Sequence, residues 1–323
     1  MHVQILWATA TPIQVNDALR IDMNQVLNDG LDGRKASATG HKDDRPVAVF
    51  TQPDRPAGRG QRLQAPPVKL IATEFGIPIE QPRSFREAEA LHSLQKYNLD
   101  LLIVAAYGLI LPQAALDIPR IGCINVHASL LPRWRGAAPI ERALLAGDSI
   151  TGVCLMRMEA GLDTGPVYAC RSLPITPEST GQTLEHALAL IGADLLLDHL
   201  PTIAAATPAP QSTDGVCYAP KLSSAEGQID WLRSADEIAR QLRALHPRIP
   251  VYTNILSADG PVRLFVLEAT ANPNGKGPSG TFLSADPKSG LEVGCGSGSL
   301  FIQRLRLSRG KGLPLAIAEA LNG

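Results

Sequence analysis

The sequence predicts an α/β domain followed by a smaller β-rich one, on three observations. Over the first 200 residues, short apolar runs alternate with segments of helical period, the pattern of a doubly wound, mostly parallel sheet. The stretch Pro201–Gly215 (PTIAAATPAPQSTDG) is rich in Pro, Ala, Thr and Ser and has no amphipathic period, so it reads as a linker. Beyond it, one amphipathic helix precedes five short β-like runs separated by glycines, which suits a small antiparallel barrel. A chain of 323 residues also exceeds the ~250–300-residue ceiling for a single hydrophobic core. The expected division is therefore 1–200, a linker at 201–220, and 221–323.

Pro46–Phe50 (PVAVF) and Leu99–Ala106 (LDLLIVAA) are near-continuous apolar runs, as strands buried on both faces must be. Between them, Pro67–Phe75 and Arg86–Tyr97 read as helices, the second with Ala90, Leu91 and Leu94 at helical spacing. Cys123–His127 (CINVH) is a further strand, followed by a Pro/Gly-rich loop and a helix at Pro139–Ala146. In Thr183–His199, Leu184, Ala187, Leu188, Ile191 and Leu195 form one apolar stripe. After the linker, Ser234 stands three residues before Glu237, a capping box that opens a helix to Leu245. The β-like runs are Val251–Leu256, Val262–Ala269, Gly280–Leu283, Leu291–Gly294 and Leu300–Leu307. The cluster Gly294–Gly298 precedes a β-run rather than a helix, so it reads as a hairpin turn and not a dinucleotide loop.

Composition narrows the function. Net charge is −1 and apolar residues make up 45%, which excludes disorder and a uniformly basic coat. The balance is uneven along the chain. Residues 1–220 hold 18 basic and 22 acidic side chains, residues 221–323 hold 12 and 9, and Thr51–Leu70 alone holds four basic residues against Asp54. Five scattered cysteines without a CxxC pair read as small buried residues of a reducing compartment rather than a disulfide framework or a zinc site. No apolar run reaches membrane-spanning length and no signal peptide is visible, so a cytoplasmic protein without a membrane partner is expected.

Two segments carry chemistry. In Asn125–Pro139 (NVHASLLPRWRGAAP), Asn125 and His127 share one face at a strand's carboxyl end, because side chains alternate along a strand. A carboxamide beside an imidazole can donate and accept hydrogen bonds at a reacting carbonyl. Gly161–Gly165 (GLDTG) places Asp163 in a turn, where its carboxylate can fix a nearby histidine or take a proton from an attacking amine.

On these words the chain resembles the folate-dependent formyltransferases, and among them the methionyl-tRNA formyltransferases. The matching stretches are FTQPDRPAGRG (Phe50–Gly60), VAAYGLILP (Val104–Pro112), GCINVHASLLPRWRGAAPIERAL (Gly122–Leu144) and GLDTGPV (Gly161–Val167). Weaker matches follow at Tyr218–Trp231 and in the closing GKGLPLAIAEALNG, so the resemblance spans roughly residues 46–323. It implies a Rossmann-like formyltransferase domain followed by an OB-like barrel. It also implies 10-formyltetrahydrofolate as co-substrate, no metal, initiator methionyl-tRNA as partner, and a monomer.

The resemblance gives Asn125, His127 and Asp163 the catalytic role. It places Ser129, Leu130, Leu131 and Pro132 at the folate pocket, with Tyr107, Gly108, Leu109 and Ile110 at its pterin end. Arg55, Arg59 and Arg62 fall in a loop that wedges into the tRNA acceptor end, and Lys221 matches a basic position beyond the linker. The alternatives are a catalytically impaired RNA-binding relative, or a formyltransferase for another amine, on a nucleotide sugar or glycinamide ribotide.

Residues 1–45 are atypical of this family. Ala10 stands where a turn glycine is expected, no Phe follows Pro12, and Asn16–Asp44 exceeds the family's first helix and loop. In the second domain, Leu245–Pro250 (LHPRIP) replaces a Pro-Trp-Pro-like stretch, and Arg248 is free there to add a phosphate contact.

Overall fold

The computed structural model describes residues 3–7, 46–57, 60–108, 110–257, 260–286, 290–308 and 315–316. The atypical turn at Ala10–Ile13, the segment 16–44, Arg59, Leu109 and, apart from Leu315–Ala316, the closing GKGLPLAIAEALNG lie outside the described residues.

A seven-stranded sheet organises the first part. Its strands are β1 (Val3–Trp7), β2 (Val49–Phe50), β5 (Ile79–Glu80), β6 (Leu101–Ala105), β7 (Gly122–His127), β9 (Ile150–Arg157) and β10 (Val167–Pro174), in the order β10-β9-β7-β6-β1-β2-β5. The five from β5 to β7 run parallel, and β9 and β10 add an antiparallel edge. Strand β6 shows why its sequence is continuously apolar. Leu101 and Ile103 join a core cluster with Ile71, Leu195 and Leu196, whereas Leu102 and Val104 join one with Phe50, Leu94 and Leu99. Helices α1 (Pro67–Glu74) and α5 (Gly181–His199) cover the first face; α2 (Ala88–Gln95) and the short α3 (Gln113–Leu116) cover the second. This is the doubly wound arrangement expected. Helix α4 (Pro139–Ala146) also begins where the sequence placed it.

Some elements exceed the expectation. The basic stretch read as a loop holds an antiparallel hairpin, β3 (Arg55–Ala57) with β4 (Arg62–Gln64). Cys154 and Cys170, read as unpaired, are joined by a disulfide with Cα atoms 4.1 Å apart, since the β9–β10 register sets them directly opposite. Cys123 and Cys295 are buried thiols, Cys123 pushed up to about 12 by burial.

By its internal contacts the chain divides into two units. The described residues of the first fall within Met1–Pro139, Ile150–Pro174 and Leu184–Ala219; those of the second within Ile140–Ser149, Ile175–Thr183 and Pro220–Gly323. In the second, α6 (Ala235–Leu245) starts from the Ser234–Glu237 capping box, with both reciprocal hydrogen bonds formed. Its sheet has the order β12 (Val251–Ser257), β13 (Gly260–Asn272), β16 (Ser299–Leu307), β15 (Gly290–Gly294), β14 (Phe282–Asp286), all antiparallel, with β17 (Leu315–Ala316) beside β16. The glycine cluster 294–298 joins β15 to β16 as the expected hairpin connection. The Arg248 guanidinium pairs through Nη1 with the buried Glu141 carboxylate of the same unit.

Candidate active site

Strand β7 carries Asn125 and His127 on the face of Cys123, opposite Ile124 and Val126, which pack toward α5. The strand's carboxyl end thus presents a carboxamide and an imidazole just beyond the core, where ligands bind in open α/β sheets. His127 is buried and Asn125 half-buried.

Asp163 reaches both. Its Oδ1 accepts the Asn125 amide at 3.3 Å, and its Oδ2 lies 3.7 Å from His127 Nδ1. Oδ2 also accepts the backbone N–H of Gly136 at 2.8 Å. On its other side His127 Nε2 lies 3.0 Å from the Trp134 carbonyl, an acceptor only, so Nε2 carries the proton and Nδ1 faces the carboxylate. Asp163 takes up this position with φ +50°, a left-handed backbone that costs a non-glycine residue about 1–3 kcal/mol.

The loop after β7 is held by its own polar groups. Ser129, fully buried, donates its hydroxyl to the Arg133 carbonyl at 2.6 Å, while Arg133 N–H bonds to Leu130 O at 3.1 Å. Leu130, Leu131 and Pro132 are half-buried on this loop, and Leu130 packs on Gly152 of β9. Strand β8 (Arg135–Gly136) then pairs with β11 (Tyr218–Ala219). Gly136 has φ +123°, and a Cβ there would lie 2.7 Å from the Ala219 carbonyl, so glycine is required.

Of the other expected folate residues, Tyr107 is buried against Phe85, ring centroids 5.9 Å apart, and burial pushes its phenol up. Gly108 takes a positive φ and Ile110 is 76% exposed. The Tyr107 carbonyl accepts Gln52 Nε2 at 2.8 Å, and Gln81 Nε2 donates to Gln52 O and Asp54. Lys69 bonds both Asp54 oxygens and Gln81, and the hydrogen bond from Gln81, then that from Lys69, holds the Asp54 carboxyl below the usual carboxylate range. This network roots the β3–β4 hairpin. Its register puts the exposed Arg55 and Arg62 on one face, with Lys69 and Asp54 cancelling each other at the base.

Lys221 is exposed at the start of the second unit. That unit also holds a cluster composition did not reveal. Arg263 lies over Tyr252 at 4.1 Å, Arg306 over Phe265 at 4.8 Å, and the two rings meet edge to face at 6.3 Å. Burial and the neighbouring Arg304 and Arg306 push the His246 imidazole down.

Among the described residues, no group of three His, Cys, Asp or Glu is placed to hold a metal, and no helix is long and apolar enough to cross a membrane. The donor set at β7 (one carboxamide, one imidazole, one carboxylate) fits a carbonyl that gains negative charge and an amine that loses a proton.

Comparison with known proteins gives the chain a family. The family described as "Formyl transferase" matches residues 28–200, and "Formyl transferase, C-terminal domain" matches 221–323. The methionyl-tRNA formyltransferase of Chromohalobacter salexigens is 47% identical over 280 residues, 85% of each chain. That of Xanthomonas euvesicatoria pv. vesicatoria is 50% identical over 273 residues, 84% of this chain and 88% of its own. Among solved structures, WlaRD, a sugar 3N-formyl transferase, has a TM-score of 0.61 at 16% identity, covering 93% of this chain and 97% of that one. HypX from Aquifex aeolicus, in complex with tetrahydrofolic acid, has a TM-score of 0.56 at 16% identity, covering 99% and 47%. At those identities the structural likeness is one of fold.

Proposed function

The chain belongs to the methionyl-tRNA formyltransferase family, and on that footing we propose that it moves the formyl group of 10-formyltetrahydrofolate to the free α-amine of initiator methionyl-tRNA. The product primes translation initiation. A reduced folate is the co-substrate, and when bound it supplies an activated formyl carbon on N10. The single observation that carries the reading is the convergence of Asn125 and His127 on one carboxylate, Asp163.

The residues divide the work as follows. The α-amine attacks the formyl carbon, a C–N bond forms, and negative charge gathers on the formyl oxygen. Asn125 gives one amide hydrogen to Asp163 and keeps the other for that oxygen. The proton shed by the amine meets two adjacent acceptors, His127 Nδ1 and the Asp163 carboxylate. A proton on Nδ1 makes an imidazolium, whose charge stabilises the oxyanion in a buried site of low polarity. Breaking the bond to N10 returns a proton to that nitrogen and regenerates the neutral imidazole beside the carboxylate.

Ser129 to Pro132 hold the folate from the loop after β7, and the segment Tyr107–Ile110 contributes at the pterin end. Arg55, Arg59 and Arg62 meet the acceptor end of the tRNA, and Lys221 meets it from the second domain. The chain works as a monomer in the cytoplasm. Relatives at 47–50% identity carry the methionyl-tRNA formyltransferase name, which favours this reading over an idle RNA binder or a sugar or ribotide formyltransferase.

The test is incubation of the purified chain with 10-formyltetrahydrofolate and either charged initiator tRNA or an amino-sugar nucleotide. Formylmethionine should appear on the tRNA alone. Formylation of the sugar with none on the tRNA would refute the proposal.

A further inference from the structure

Gln211 lies in the stretch whose composition reads as a linker, yet residues 201–219 belong to the first unit and bond across the site loops. Val167 and Ala209 exchange two backbone hydrogen bonds, at 2.8 and 2.9 Å. The Cys217 carbonyl accepts Arg135 N–H at 3.0 Å, and its sulfur accepts Trp134 N–H at 3.3 Å.

Between these anchors the Gln211 side chain is fully used. Nε2 donates to the Asp163 carbonyl at 2.8 Å and to the Gly165 carbonyl at 2.7 Å. Oε1 accepts from Arg135 Nε at 3.1 Å and Nη2 at 2.7 Å. A primary amide has two donor hydrogens and one oxygen with two lone pairs, and all four are engaged. One side chain therefore ties the Asp163–Gly165 turn to the strand whose next residue, Gly136, donates to the Asp163 carboxylate. The turn needs such a tie. Asp163 holds a left-handed φ, and Gly165 passes so near the Arg157 carbonyl that a Cβ would lie 1.8 Å from it.

We propose that Gln211 is a positioning residue for formyl transfer: by clamping the Asp163 backbone to Arg135 it sets where the Asp163 carboxylate stands against Asn125 and His127. This rests on the functional reading above. Its amide spends all four hydrogen-bonding positions on protein groups, so its effect belongs in kcat rather than in binding. A misplacement near 1 Å in a catalytic constellation costs about a hundredfold in rate.

Three variants test it. Gln211→Met removes all four hydrogen bonds at similar volume. Gln211→Glu keeps the Arg135 contact and sets a carboxylate against two carbonyls. Ser212→Ala, on the same stretch, loses only the exposed hydroxyl that accepts Asp214 N–H. Single-turnover rates at saturating folate and tRNA should fall about ten- to a hundredfold in both Gln211 variants. The KM of each substrate should stay within twofold, and Ser212→Ala should match wild type. Hydrogen exchange of residues 161–166 should quicken in Gln211→Met and not in Ser212→Ala, a readout that needs no turnover. The proposal is overturned if Gln211→Glu keeps its rate, if the loss lies in KM alone, or if exchange is unchanged. A wild-type chain that formylates no tRNA strikes instead at the functional reading, and the exchange result still decides the clamp.

Discussion

The Gly136 backbone N–H donates to Asp163 Oδ2 at 2.8 Å, the same oxygen that lies 3.7 Å from His127 Nδ1. A main-chain group on β8 thus fixes one end of the carboxylate, and the Asn125 amide fixes the other. A carboxylate so held is preorganised: it needs little reorientation as a proton arrives.

Gly136→Ala tests that arrangement from the backbone side. The new Cβ would lie 2.7 Å from the Ala219 carbonyl at φ +123°, so the β8–β11 pairing must shift. Strain of this kind costs about 1–3 kcal/mol. We expect a lower denaturation midpoint and a loss of formylation of tenfold or more, measured on the fraction still folded. An unchanged midpoint with full activity would show that the Gly136 N–H does not hold Asp163 in place.

The hairpin arginines should act through salt-sensitive contacts. Arg55 and Arg62 share one face of β3–β4, clear of the Lys69–Asp54 pair. Replacing both by Ala should weaken tRNA binding and reduce the slope of log affinity against log salt by about two phosphate contacts. Lys69→Ala should loosen the hairpin root without that change of slope. Equal slopes for wild type and the double variant, by filter binding across salt, would remove the hairpin from the RNA surface.

Helix α6 offers a pH test. The Ser234 backbone N–H, then its hydroxyl, then Arg233 hold the Glu237 carboxyl down to about 2 from an ordinary 4.5. A carboxyl lowered by folding stabilises the native state above about pH 4.5, and that share is lost as pH falls toward 2. Ser234→Ala should cost about 0.5–2 kcal/mol near neutrality, and the gap from wild type should narrow between pH 5 and pH 3. Urea titrations at both values measure it; a constant gap would unlink the cap from Glu237.

How much was legible follows from the physics of each feature. Strand β6 and helix α6 announce themselves, one by an apolar run buried on both faces, the other by its Ser234–Glu237 box. Asn125 and His127 were legible because period-two alternation needs no tertiary knowledge. Asp163 entered through a turn motif. The strap around Gln211 was not legible, since it forms no periodic element and its hydrogen bonds go to residues 46 to 76 positions away. The same limit hid the Cys154–Cys170 pair, which depends on the β9–β10 register, and the Arg263–Tyr252 contact. The Arg248–Glu141 ion pair, between residues 107 positions apart, was hidden in the same way.

The proposed function requires Asn125, His127 and Asp163 to act as one set on a formyl group passing to methionyl-tRNA. The most direct measurement is the single-turnover rate of formyl transfer for His127→Ala and Asp163→Ala, with folding checked by circular dichroism. Loss of one such group should raise the barrier by about 2.7–4 kcal/mol, a fall of a hundredfold or more in each folded variant. A folded variant of either kind that formylates methionyl-tRNA near the wild-type rate would contradict the account.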